Sequence, residues 1–159
     1  MLLSSATARR LACAGALALL AACGSTPPPT TADYLDEVAG ITAALTRNSV
    51  AALPQGATPT RLQVDTIQGL RGAALADISA LVPTDEIRPE HLALIGALED
   101  LVMAGRAFLD GTAGLDQTEF VTALDVSTEI DALAADVHAA CFALEKRSIE
   151  LGHPVDLAC

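Results

Sequence analysis

From Thr31 onward the apolar residues return every three or four positions, and proline or glycine cuts that rhythm into four blocks. A 3.6-residue period puts such residues on one side of an α-helix, whereas a half-buried strand would need strict alternation. The first block runs from about Thr31 or Asp33 to Leu53, with Leu35, Val38, Ile41 or Thr42, and Leu45 on one face, and Pro54-Gln55-Gly56 closes it. The second is expected to start at Pro59, with Thr58 as its cap, and to bury Ile67, Leu70, Ala74, Ile78 and Leu81 before stopping at Pro83. A third begins at Pro89 and carries Leu92, Ile95, Leu98, Val102 and Leu109 as far as Asp110-Gly111. The fourth is the longest. It opens on an Asp-x-x-Glu capping box at Asp116 and Glu119, buries Phe120, Leu124, Ile130, Leu133, Val137, Cys141, Leu144 and Leu151, and ends at Gly152 and Pro154.

The apolar fraction comes from 32 alanines and 24 leucines, with 3% aromatic residues and no tryptophan. Small and straight-chain residues favour helix over strand and let helices approach closely. The fold expected is all-α: an up-down antiparallel four-helix bundle over residues 33–159, joined by short loops, its long C-terminal helix followed by a disulfide-tethered tail.

Ahead of the bundle, Arg9 and Arg10 precede an uncharged run from Leu11 to Ala22. Twelve helical residues rise about 18 Å, well short of the roughly 30 Å hydrocarbon core, so the pattern is that of a signal peptide over residues 1–22 and not of a membrane span. The segment closes on Leu20-Ala21-Ala22-Cys23. Those four residues resemble the lipobox of bacterial lipoprotein precursors, in which small residues precede a cysteine that is acylated and becomes the new N-terminus. The resemblance implies lipidation (palmitate among the acyl chains) at Cys23. It also implies an extracytoplasmic protein held on the cell membrane or the outer membrane, since two or three chains anchor where one would bind reversibly. Gly24 and Ser25 follow the cysteine in place of the aspartate that commonly retains lipoproteins in the inner membrane, which weakly favours the outer one. The alternative is an ordinary secretory signal that leaves Cys23 free. Residues 23–32, with Pro27, Pro28 and Pro29 in a row, form a stiff, extended tether.

The chain carries 9 basic and 20 acidic residues, net −11; without residues 1–22 it would carry −13. No basic stripe is present to neutralise phosphates, so nucleic acid is excluded as a partner. The acidic excess reads as a solvated surface that would repel anionic headgroups and attract cations or basic partners.

Apart from Cys13 and Cys23, two thiols remain, Cys141 and Cys159, and an even pair in an extracytoplasmic chain reads as a disulfide. The helix rises about 15 Å from Cys141 to Leu151, and the eight residues beyond can span about 26 Å, so the tail can fold back to close the bond. The lesser alternative is a zinc site made by His138, Cys141, His153 and Cys159, although its spacing matches no zinc module. His91 is expected to be a surface or helix-start residue.

The chain lacks Glu-x-x-His, Cys-x-x-Cys-His, His-Glu-x-x-His, Gly-x-Ser-x-Gly and a phosphate-binding glycine loop. An EF-hand reading of Asp110 to Phe120 fails, because the first ligand would be Phe108 and the obligatory glycine Ala113. No cofactor and no enzymatic activity are expected. Glu99, Asp100, Asp125, Glu129 and Asp136 are expected on an exposed acidic face. The body is similar in style to the small alanine-rich helical lipoproteins of bacterial envelopes, a likeness without a diagnostic motif. The leading expectation is a lipid-anchored structural or protein-interaction module at the cell envelope, with an envelope protein as its partner. The runner-up is a lipoprotein that binds a ligand or metal ion through an apolar cavity or the acidic surface.

Overall fold

The computed structural model describes residues 29–53 and 56–159. The signal peptide, its expected form as a helix detached from the bundle, the lipobox with Cys23, and the tether as far as residue 28 all lie outside them. Five helices and no strand occur among the described residues: α1 (Thr31–Ala52), α2 (Arg61–Ala80), α3 (Arg88–Gly111), α4 (Gln117–Asp125) and α5 (Thr128–Glu150). The all-α class is what the sequence indicates.

Local chemistry sets the helix ends. α1 starts on a capping box, the Thr30 hydroxyl accepting from the Asp33 amide while the Asp33 carboxylate accepts from the Thr30 amide. α2 starts two residues later than expected. Thr60, not Thr58, is its cap, because Gln63 stands three residues on and completes a second reciprocal box. Pro89 is the second residue of α3 and follows Arg88, while Asp116 and Glu119 form the expected box on α4.

The long fourth helix is a correction: it is two helices. After Asp125 the chain leaves helical geometry at Val126 and Ser127, where the amides of Ser127 and Thr128 reach back only three and two residues, to the Leu124 and Val126 carbonyls. Val126, Ser127 and Thr128 are all weak helix formers, so the break falls where propensity is lowest.

Packing pairs α1 with α2, α2 with α3, and α3 with α5. The central core joins Tyr34, Leu35 and Val38 of α1, Ile78 of α2, Ile87, Leu94 and Leu98 around α3, Cys141 and Leu144 of α5, and Leu157 of the tail. A second, smaller contact holds α4. Phe120 is buried 5.7 Å from Phe108, and the Arg61 guanidinium lies 4.7 Å above its ring while donating to the Leu109 and Thr112 carbonyls.

The buried stripe of α3 is also a correction. Leu92 is 59% exposed, and the inward face runs through His91, Leu94, Leu98, Leu101, Val102 and Gly105. Apolar residues occur around most of this helix, so periodicity alone left its rotation open. The expected acidic residues Glu99, Asp100, Asp125, Glu129 and Asp136 are all exposed.

Candidate functional site

Cys141 and Cys159 are joined by a disulfide with a Cα–Cα distance of 5.9 Å across 18 residues. The tail reaches that position in three steps. Gly152, with φ +78°, ends α5 in a left-handed cap: its amide donates to the Ile149 carbonyl, and that of His153 to the Ser148 carbonyl. Next, the Val155 amide donates to the Ser148 hydroxyl and the Leu157 amide to the Glu145 carboxylate at 2.7 Å, which seats Leu157 in the core. Finally, Ala158 turns with φ +52°, its amide on the Asp156 carboxylate and its carbonyl accepting from Thr46 of α1. The zinc alternative is not formed. Its two sulfurs are bonded to each other, His138 and His153 are exposed, and no three metal-ligating side chains come together among the described residues.

This folded-back tail forms one wall of a partly open cavity of about 320 Å³. α1 contributes Thr42, Leu45, Thr46, Ser49 and Val50; α2 contributes Arg71 and Ile78. Leu94, Leu98 and Leu101 of α3 face them, and α5 adds Ala134, Val137, His138 and Cys141. Leu157, Ala158 and Cys159 complete the lining. The volume falls near the lower end of the roughly 300–1,000 Å³ typical of ligand pockets. The sequence predicted a closed bundle with no cleft, so the cavity corrects that expectation. Small side chains such as Ala134 and Ser49 leave space that the leucines facing them do not fill.

Within this apolar lining Arg71 stands apart. It is largely buried, and among the described residues it has no hydrogen-bond or ion-pair partner. Burial alone pulls its guanidinium below the ordinary value. The polar groups near it in the lining are weaker: the Thr42 hydroxyl is committed to the Val38 and Ala39 carbonyls, and that of Thr46 to Ala158. The residue has a sequence signature that the stripe Ile67, Leu70, Ala74, Ile78 passes over. Arg71 lies four residues after Ile67 and seven before Ile78, on the apolar face itself.

His91 is a second correction to the sequence reading. It is buried, only 4% exposed, at the start of α3, and its Nδ1 lies 2.7 Å from the Tyr34 hydroxyl with the two rings edge to face. Desolvation, aided by the charge of Arg88, holds its pKa below the usual histidine value. The pair ties α1 to α3 and lies outside the cavity lining.

No helix among the described residues is long and apolar enough to cross a membrane. No protein family, no curated protein and no solved structure matches the chain.

Proposed function

We propose that this chain is an extracytoplasmic lipoprotein, anchored through Cys23, whose helical body binds a small apolar ligand. The observation that carries the reading is the 320 Å³ cavity walled by α1, α2, α3, α5 and the disulfide-held tail. A disulfide that persists is the usual mark of an oxidising compartment, which supports an address outside the cytoplasm. The lipobox supports the anchor. No catalytic step is assigned, since the cavity brings together no nucleophile with a base.

The end contacts support an up-down course for the four longer helices. Thr31 meets Thr84 just beyond α2, Arg61 at the start of α2 meets Leu109 near the end of α3, and Arg147 near the end of α5 meets Glu86 just before α3. Each contact joins the beginning of one helix to the end of its packing neighbour.

The test is the intact mass of the protein extracted from its own membranes in mild detergent without reductant. The expected result is a chain that starts at Cys23, heavier by its acyl chains and lighter by two hydrogens, with a small apolar molecule released on unfolding. An unacylated chain would remove the anchor, and an empty chain that takes up no alkyl ligand would remove the binding role.

A second reading, a structural or protein-interaction module at the envelope, draws on the apolar residues left outside. Leu92 and Met103 lie eleven residues apart on one face of α3, Phe142 and Ile149 seven apart on one face of α5, and all four are 57–64% exposed. Cross-linking in intact cells that captures one specific envelope protein through this face would favour it over ligand binding.

A further inference from the structure

Arg71 makes the cavity chemically selective, a deduction that rests on the ligand-binding reading above. A chain with 20 acidic residues against 9 basic ones offers ample partners for any arginine. Arg71 nevertheless has none among the described residues: the positions one turn away on α2 are Ile67, Gln68, Ala74 and Leu75, and no acid lines the cavity. A guanidinium held in an apolar recess without a counter-charge is costly unless an anion arrives with the ligand. The rest of the lining offers leucine, isoleucine and valine side chains, which suit an alkyl chain and provide no second cation apart from the titratable His138.

Size limits the ligand further. A methylene fills roughly the space of a water molecule, about 30 Å³, so 320 Å³ holds a single chain of about ten carbons and no second one. We infer that the cavity binds a single-chain anionic amphiphile, its alkyl chain against Leu94, Leu98 and Leu101 and its carboxylate on the Arg71 guanidinium. An arginine fork matches the two oxygens of a carboxylate, which gives both charge and orientation. The tail opposite, clamped by Cys141–Cys159, keeps the chain-binding wall in place.

The experiment titrates the full chain, disulfide intact and in detergent-free buffer, with decanoate and with decanol, and compares Arg71→Gln, Arg71→Lys and Leu98→Trp variants whose folding is checked by circular dichroism. Decanoate is expected to bind at least tenfold more tightly than decanol. Arg71→Gln is expected to remove that preference while decanol binding persists, Arg71→Lys to keep part of it, and Leu98→Trp to block both ligands by filling the cavity. Equal binding of the two ligands by the parent chain, or an undiminished preference in Arg71→Gln, overturns the role of Arg71 and leaves the pocket reading standing. Binding of neither ligand overturns both. Vesicles of phosphatidylglycerol form a separate arm: uptake of that two-chain lipid in preference to decanoate would overturn the single-chain assignment.

Discussion

The Tyr34 hydroxyl and His91 Nδ1 lie 2.7 Å apart in the interior, and through them the first turns of α1 and α3 are joined across 57 residues of sequence. Two polar groups buried together satisfy each other. Removal of one strands the other, and the cost is that of an unpaired buried group, not of an average hydrogen bond. Tyr34→Phe should therefore destabilise the fold by about 1–3 kcal/mol, read from urea unfolding at neutral pH.

The same pair predicts how stability follows pH. Burial, reinforced by Arg88, lowers the His91 pKa from its ordinary 6.5, so the unfolded chain takes up a proton that the folded chain refuses. The stability it contributes is complete above 6.5 and is lost as pH falls from there through the lower folded value. Burial raises the Tyr34 pKa above its ordinary 10, so its contribution is complete below 10 and is lost as pH rises beyond it. Thermal midpoints across the pH range should decline at both ends, and Tyr34→Phe should remove the alkaline decline attributable to this hydroxyl.

The disulfide closes a loop of 18 residues, worth about 3 kcal/mol in the chain-entropy picture. A Cys141→Ser/Cys159→Ser double variant should lose about that much and release the wall formed by Leu157 to Cys159. Limited proteolysis is the direct readout, with cleavage in residues 152–159 appearing only in the variant. Unchanged protection would mean that the bonds to Glu145 and Ser148 hold the tail without the covalent link.

Gly105 is required by its neighbour. A Cβ there would overlap the carboxamide of buried Gln68 on α2, so α2 and α3 approach closely only because position 105 has no side chain. Helix propensity favours alanine over glycine by about 1 kcal/mol, yet the overlap should make Gly105→Ala destabilising by about 1–3 kcal/mol. In the Gly105→Ala/Gln68→Ala double variant, the two changes should compensate by about 0.5 kcal/mol or more, measured in a double-mutant cycle.

Phe120 secures α4, which has only nine residues and a single buried side chain. Phe120→Ala should cost about 3–5 kcal/mol if α4 unfolds with the rest of the domain. Hydrogen exchange that opens residues 117–125 alone, with the global midpoint little changed, would mark α4 as an independent unit.

The helical class was legible because the 3.6-residue rhythm and the Ala and Leu content act locally, and the same holds for the Asp116 capping box and the Gly152 stop. Residues near one another in sequence settle such features before any packing occurs. The disulfide was legible because only one pairing of the remaining thiols exists outside residues 1–28. Three features were beyond this reach. The break at Ser127 depended on a margin of propensity too small to read against a continuous apolar stripe. The rotation of α3, which turns His91 inward and Leu92 outward, was fixed by Tyr34, a partner 57 residues away. The cavity arises from unfilled space among five segments, and no single segment contains it. Arg71 shows both sides of the division: its place on the apolar face of α2 is written in the sequence, but whether an acid meets it depended on what α1, α3 and α5 brought alongside.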